Sequence, residues 1–127
     1  MSEPRNVFTK EAESTAIGAG LAIMPGTLKR QVKLPSAQNA YCEGISALAA
    51  AAAGDAFPVI MAGPARAILG YAATRGDYLM AYDTAGGLGP IGAVSGTNYN
   101  AIALALESGD AAAEIDVFVI HTVIQAA

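Results

Sequence analysis

The chain has 127 residues, a formal net charge of −4, 54% apolar residues and 14% charged ones, against a usual charged share of about 25%. That length suits one domain with a real core. The negative balance, with no basic block and few aromatics, argues against nucleic acid as a ligand. The lone cysteine, Cys42, excludes an intrachain disulfide.

Ala supplies 29 of the apolar residues, so the larger side chains amount to an ordinary core complement. A surface with so few charges must either be bland or be covered by partners, and the second fits better. Residues 1 to 43 hold five of the seven cations (Arg5, Lys10, Lys29, Arg30, Lys33), whereas two cations and seven carboxylates follow from Gly44 onward. One end could thus face an acidic partner. Residues 1 to 15 lack the apolar segment of a signal peptide. Phe57 to Ala73 is too interrupted by Pro58, Pro64 and Arg66 to cross a membrane as a helix. A soluble chain made in the cytosol is expected.

In chain order, residues 1–15 are polar apart from Val7 and Phe8. They form either a flexible arm or one that orders on a partner. Residues 16–127 then make a single β-rich domain. Gly20 to Met24 is a buried strand ending at Pro25-Gly26. Leu28 to Leu34 alternates, with Leu28, Arg30, Val32 and Leu34 on one face and Lys29, Gln31 and Lys33 on the other. Tyr41 to Ile45 is a short strand.

Ser46 to Ala53, with five consecutive alanines before Gly54, suggests one or two helical turns. Ala56 to Ala62 and Ala65 to Leu69 flank Gly63-Pro64 as a hairpin would. Asp77 to Tyr82 is a strand, Asp83 to Pro90 a loop, Ala101 to Leu106 a half-buried strand. Ala113 to Val123 is the best strand, with Ile115, Val117, Val119, His121 and Val123 on one face. The fold class is mainly β, a small barrel or sandwich with at most one or two short helices.

Gly-Asp occurs three times, at Gly54-Asp55, Gly76-Asp77 and Gly109-Asp110. Glycine takes a positive φ freely and the following Asp can bond nearby backbone, so all three are expected as turns. Gly54-Asp55 and Gly109-Asp110 sit in matching surroundings, which suggests two similar halves. Gly20 to Ala22 corresponds to Gly76 to Tyr78 at an offset of 56 residues, and Asp55 to Asp110 at 55.

Candidates for chemistry are weak. His121 is the only histidine and lies in an apolar strand, with no second His or Cys to share a metal. Cys42 has no base near it in sequence. Asp55, Asp77 and Asp110 are explained by turn chemistry, and Gly86 to Gly92 lacks the Lys-Ser/Thr of a phosphate loop. Arg75-Gly76-Asp77 spells a tripeptide that adhesion receptors recognise, but turn chemistry accounts for it too. No catalytic, cofactor or metal residue is assigned, and an enzyme is not expected.

The order Gly44-Ile45, Gly54-Asp55, Val59 to Gly63, Gly76-Asp77 and the ending AIALALESGDAAAEIDVFV resembles the head decoration proteins of tailed bacteriophages. The resemblance implies a capsid cement protein. Such a protein would sit on the outer surface of the virion, bind the major capsid protein, bridge its subunits and assemble as a homotrimer. Neither nucleic acid nor membrane would be a partner. Val7, Phe8, Lys29, Arg30 and Lys33 are the candidate contacts to capsid or protomer. Two other readings are a receptor- or glycan-binding virion module using Tyr71, Tyr78, Tyr82 and Tyr99, and a small barrel enzyme or ligand carrier with an enclosed pocket containing His121 or clustered carboxylates.

Overall fold

The structure, a computed structural model, describes residues 6–92 and 94–125. Among these residues there are nine strands and no helix: β1 (Asn6–Ala12), β2 (Ala22–Pro25), β3 (Gln31–Lys33), β4 (Gly44–Ser46), β5 (Ala56–Ile68), β6 (Tyr78–Ala81), β7 (Leu88–Pro90), β8 (Asn98–Ala105) and β9 (Glu114–Gln125). They run in the order β1-β3-β2-β4-β5-β9-β8-β6-β7, and an additional β1–β5 pairing closes the first five into a barrel. The chain is thus a mainly β, barrel-containing fold.

The strand β5 is the hinge of the architecture. Its first half pairs with β1 as far as Ala62, and from Gly63 onward it pairs with β9. The expected hairpin at Gly63-Pro64 is therefore one continuous strand. Gly63, at φ 105°, and Pro64, which has no N–H to offer a ladder, stand where the strand changes partners.

Beyond that point β5, β9, β8, β6 and β7 form a second five-stranded unit. Leu69, just past β5, bridges back in parallel to Leu88 in β7 and draws this unit together. The unit repeats the first, register for register. Thr9↔Pro58, Lys10↔Phe57 and Glu11↔Ala56 recur as Arg66↔Asp116, Ala67↔Ile115 and Ile68↔Glu114. Ala22↔Ile45 recurs as Tyr78↔Leu104, and Pro25↔Val32 as Ala81↔Leu88. The lone bridge Ile17↔Ala50 recurs as Ala73↔Gly109.

Interior positions repeat in the same way. Ala12, Ile17, Ile23, Val32, Phe57 and Val59 fill the first unit. Leu69, Ala73, Leu79, Leu88, Ile115 and Val117 hold the matching places in the second. Along β9 the pleat puts Ile115, Val117 and Val119 inside and Glu114, Asp116 and Phe118 outside.

Several expectations change. Residues 6–12 of the N-terminal arm are strand β1, bonded to β5 and β3 of the same chain; residues 1–5 lie outside the described residues. The Ala-rich stretch is not helical. Ala50 exchanges backbone hydrogen bonds of 3.0 and 2.8 Å with Ile17, and Ala53-Gly54 turn the chain into β5, so strand pairing overrides alanine's helix propensity. Leu28 and Arg30 leave the expected strand and form the β2–β3 turn, where Arg30 adopts φ 74°.

Two Gly-Asp pairs are turns as expected. The Asp55 and Asp77 carboxylates accept N–H bonds from Ala52 (3.1 Å) and Thr74 (2.9 Å), with Gly54 and Gly76 at positive φ. The third is displaced. Gly109 bridges Ala73, and Asp110 opens a turn whose positive-φ residue is Ala112, so the counterpart of Gly54-Asp55 is Ala112-Ala113.

Candidate interface surface

Pleating carries one row of side chains straight across the outer face of the second unit. Tyr78, Leu104, Phe118 and Pro64 are successive cross-strand neighbours on β6, β8, β9 and β5. Tyr78 and Phe118 are each 42% exposed, and Leu104 and Pro64 are partly so. A contiguous apolar row on an otherwise ordinary sheet face marks a contact surface more than scattered exposed residues would.

An ion cluster borders the row. Arg66 on β5 lies beside Asp116 on β9, and its Nη1 donates to Asp116 Oδ1 (2.8 Å) and Glu107 Oε1 (3.3 Å). Its Nε donates to Glu114 Oε1 at 3.0 Å, and Nη2 to the Glu114 carbonyl at 3.2 Å. Hydrogen bonds to Asp116 and Glu114 hold the guanidinium pKa above its usual value. All four side chains are about half exposed, so the cluster adds little stability; it fixes the Arg66 rotamer and leaves two negative charges in excess.

On the other side of Arg66 lies a groove of about 260 Å³ lined by Val7, Ala47, Leu48, Pro58 and Ile60. Sequence reasoning named Val7 here but missed Leu48, Pro58 and Arg66. It named Tyr78 only for a glycan-binding reading and missed Leu104, Phe118 and the row they make with it, which joins strands far apart in the chain.

The other candidate contacts are separate. Phe8 is exposed on β1, Lys29 and Arg30 are exposed in the β2–β3 turn, and Lys33 is half-buried on β3. The turn is held to the barrel by Glu13, whose Oε1 accepts the Thr27 N–H at 2.6 Å; hydrogen bonding from the Thr27 side chain and then its backbone lowers the Glu13 pKa.

His121 and Cys42, far apart in sequence, meet in a cleft of about 160 Å³ shared with Tyr41, Asn100 and Val123. His121 is exposed instead of packed with the β9 core residues, because the buried alternation of β9 stops at Val119. Its Nε2 lies 2.8 Å from the Met61 carbonyl, so that nitrogen carries the proton. Burial pushes the Cys42 thiol up to about 12, so it stays protonated at neutral pH. The cleft can hold a small group, and Cys42 offers it no thiolate at neutral pH.

The four tyrosines do not share one exposed platform. Tyr71 and Tyr82 pack with ring centroids 5.0 Å apart, whereas Tyr99 is buried and its hydroxyl accepts the Val94 N–H at 3.1 Å. In Arg75-Gly76-Asp77 the Asp77 carboxylate is engaged by its own turn.

No family model matches the chain, and no curated protein matches it. Among solved structures it is similar to the head fiber gp8.5 N base of bacteriophage phi29, at a TM-score of 0.67 and 17% identity, over 92% of this chain and 95% of that one. At that identity the two share a fold along nearly their whole lengths.

Proposed function

We propose that this protein is a structural component of a phage virion, attached to the outer surface of the head, where it bridges major capsid subunits as a small oligomer, a homotrimer on the family resemblance. The observation that carries the reading is the chain-length match in fold to a head fiber base. The motif order along the chain supports it independently.

The capsid-facing surface on this reading is the groove at Val7, Leu48 and Pro58, together with exposed Phe8. These residues lie on the first barrel, and Arg66 borders the groove on one side. The work is done by apolar contact area, and no cofactor, nucleic acid, membrane or catalytic step enters it. Standard protein–protein interfaces bury roughly 800 Å² per partner with apolar anchors at the centre, and Phe8 and Leu48 are such anchors.

The test is co-sedimentation of the purified chain with heads assembled from the major capsid protein of its own phage. Saturable binding is expected, with at least tenfold weakening by Phe8→Asp or Leu48→Asp in folded protein. Binding that never saturates, or that neither substitution changes, would remove the reading.

A further inference from the structure

The two units are equivalent in register but not in environment. In the first, the outer row Ala22–Ile45–Ile60 is 0%, 0% and 2% exposed, because it packs into one core with residues of the second unit. The matching row in the second unit is Tyr78–Leu104–Phe118, and among the described residues nothing covers it.

A turn of the second unit meets the β2 end of the first row. The β6–β7 turn of the second unit lies across β2: the Ala22 N–H donates to the Gly86 carbonyl at 2.8 Å, and Gly86 packs against Leu21 and Leu34. The turn with the same place in the first unit is β2–β3, residues 26–30. Both close with the same bond, Gly26 N–H to Gln31 carbonyl and Tyr82 N–H to Gly87 carbonyl, each before a positive-φ closing residue matched in place, Arg30 at 74° and Gly86 at 92°. At the tip of the β2–β3 turn, Leu28, Lys29 and Arg30 are all exposed.

We infer that the Tyr78–Leu104–Phe118 row is a docking face for the Leu28–Arg30 turn of a second copy of this chain, so that copies associate head to tail. The internal junction supplies the precedent for a barrel turn seated at the first position of this row, against Ala22. Charge selects the occupant, since Lys29 and Arg30 bring two positive charges to a rim where Glu107, Glu114 and Asp116 exceed Arg66 by two. A head-to-tail contact uses two different patches per copy, so it propagates, and closes into a ring where the rotation allows.

This contact specifies how copies would assemble under the proposed function. It is measured on the free protein, so its failure leaves capsid attachment standing, and the reverse also holds. The experiment is sedimentation equilibrium of the full chain over a range of concentrations, with circular dichroism to check folding of each variant. Wild type is expected to self-associate, and Phe118→Ser and the pair Lys29→Glu/Arg30→Glu should each weaken association at least tenfold. Each of these variants keeps one intact patch. An equimolar mixture should therefore form mixed dimers that neither forms alone.

A wild type that stays monomeric at every concentration overturns the inference. So does association that both variants leave unchanged, or a mixture that fails to complement. Complementation with monomeric single variants establishes the head-to-tail pairing.

Discussion

Ile60 and Phe118 occupy the same place in the two units, and the environments argued above require truncation at the two sites to have different costs. Ile60→Ala removes three carbons from a side chain 2% exposed. At about 0.8 kcal/mol per buried methylene that is roughly 2.4 kcal/mol of transfer free energy, and the cavity left between the units raises it to about 3–4 kcal/mol. Phe118→Ala deletes a larger group, but one already 42% exposed and lying on an open face where no enclosed cavity remains. Its cost in the monomer is about 1–1.5 kcal/mol. For a chain of this length 1 kcal/mol corresponds to roughly 4 °C in Tm, so Ile60→Ala should lower Tm by about 12–16 °C and Phe118→Ala by about 4–6 °C. The assay is thermal unfolding by circular dichroism at low micromolar concentration, where association contributes least. Equal losses at the two sites, or a larger one at Phe118, would refute the claim that one row is sealed and its counterpart open.

Other positions give sharper local outcomes. Ala112→Gly should stabilise the protein by about 0.5–1 kcal/mol, because Ala112 holds φ 71°, while Gly76→Ala, at φ 94° with open space around the new methyl, should destabilise by about 1 kcal/mol; urea melts measure both. Ser46→Ala should cost about 1–3 kcal/mol in the same melts, since the buried hydroxyl accepts the Leu21 N–H at 3.1 Å and donates to the Gly18 carbonyl at 2.7 Å. Cys42 ionises in the unfolded chain near its ordinary value of 9.0 but only near about 12 when folded. Its contribution is therefore complete below pH 9 and is lost as pH rises from 9 toward 12, at up to about 1.4 kcal/mol per pH unit. Cys42→Ala should flatten the fall in stability between pH 9 and 11 by that amount, and an identical pH profile in the variant would count against the burial argument.

Local chemistry made much of the fold legible. Alternation in Ala113 to Val123 places β9, and Pro25-Gly26 ends β2, because both signals act over a few residues. The errors fall where a distant partner decides. Ala49 to Ala53 suits a helix by itself, and only Ile17, more than thirty residues upstream, holds Ala50 extended. Gly63-Pro64 has turn composition, yet β1 and β9 each secure one side of it, so the strand passes straight through. Gly109-Asp110 imitates Gly54-Asp55 in sequence while the matching turn is centred three residues later, on Ala112, whose methyl conceals a position that usually calls for glycine. The candidate surface was less legible still. Val7, Phe8, Lys29 and Arg30 stand out as apolar or basic residues in polar segments, whereas Tyr78, Leu104 and Phe118 each look like an ordinary strand residue. They become a surface only once three strands are set side by side.

The residue types along the two matched rows carry a further argument. Where the row is sealed inside the molecule it is Ala22, Ile45 and Ile60, small or β-branched groups that pack tightly and have no polar atom to satisfy. Where the same row faces outward it is Tyr78, Leu104 and Phe118. Aromatic residues offer a large contact area for few rotatable bonds, and the tyrosine hydroxyl can stay wet before and after docking, which is why such residues are enriched at protein interfaces and at their hot spots. A face selected only for solubility would carry charged and polar groups at those three positions. The charged groups stand one pair further along the same strands, at Arg66 and Asp116, with Glu107 beside them, as the polar rim of an apolar centre. On the proposed head-to-tail pairing, the repeat fixes where a neighbouring barrel sits, and the side chains at that place are those suited to a partner that arrives after folding.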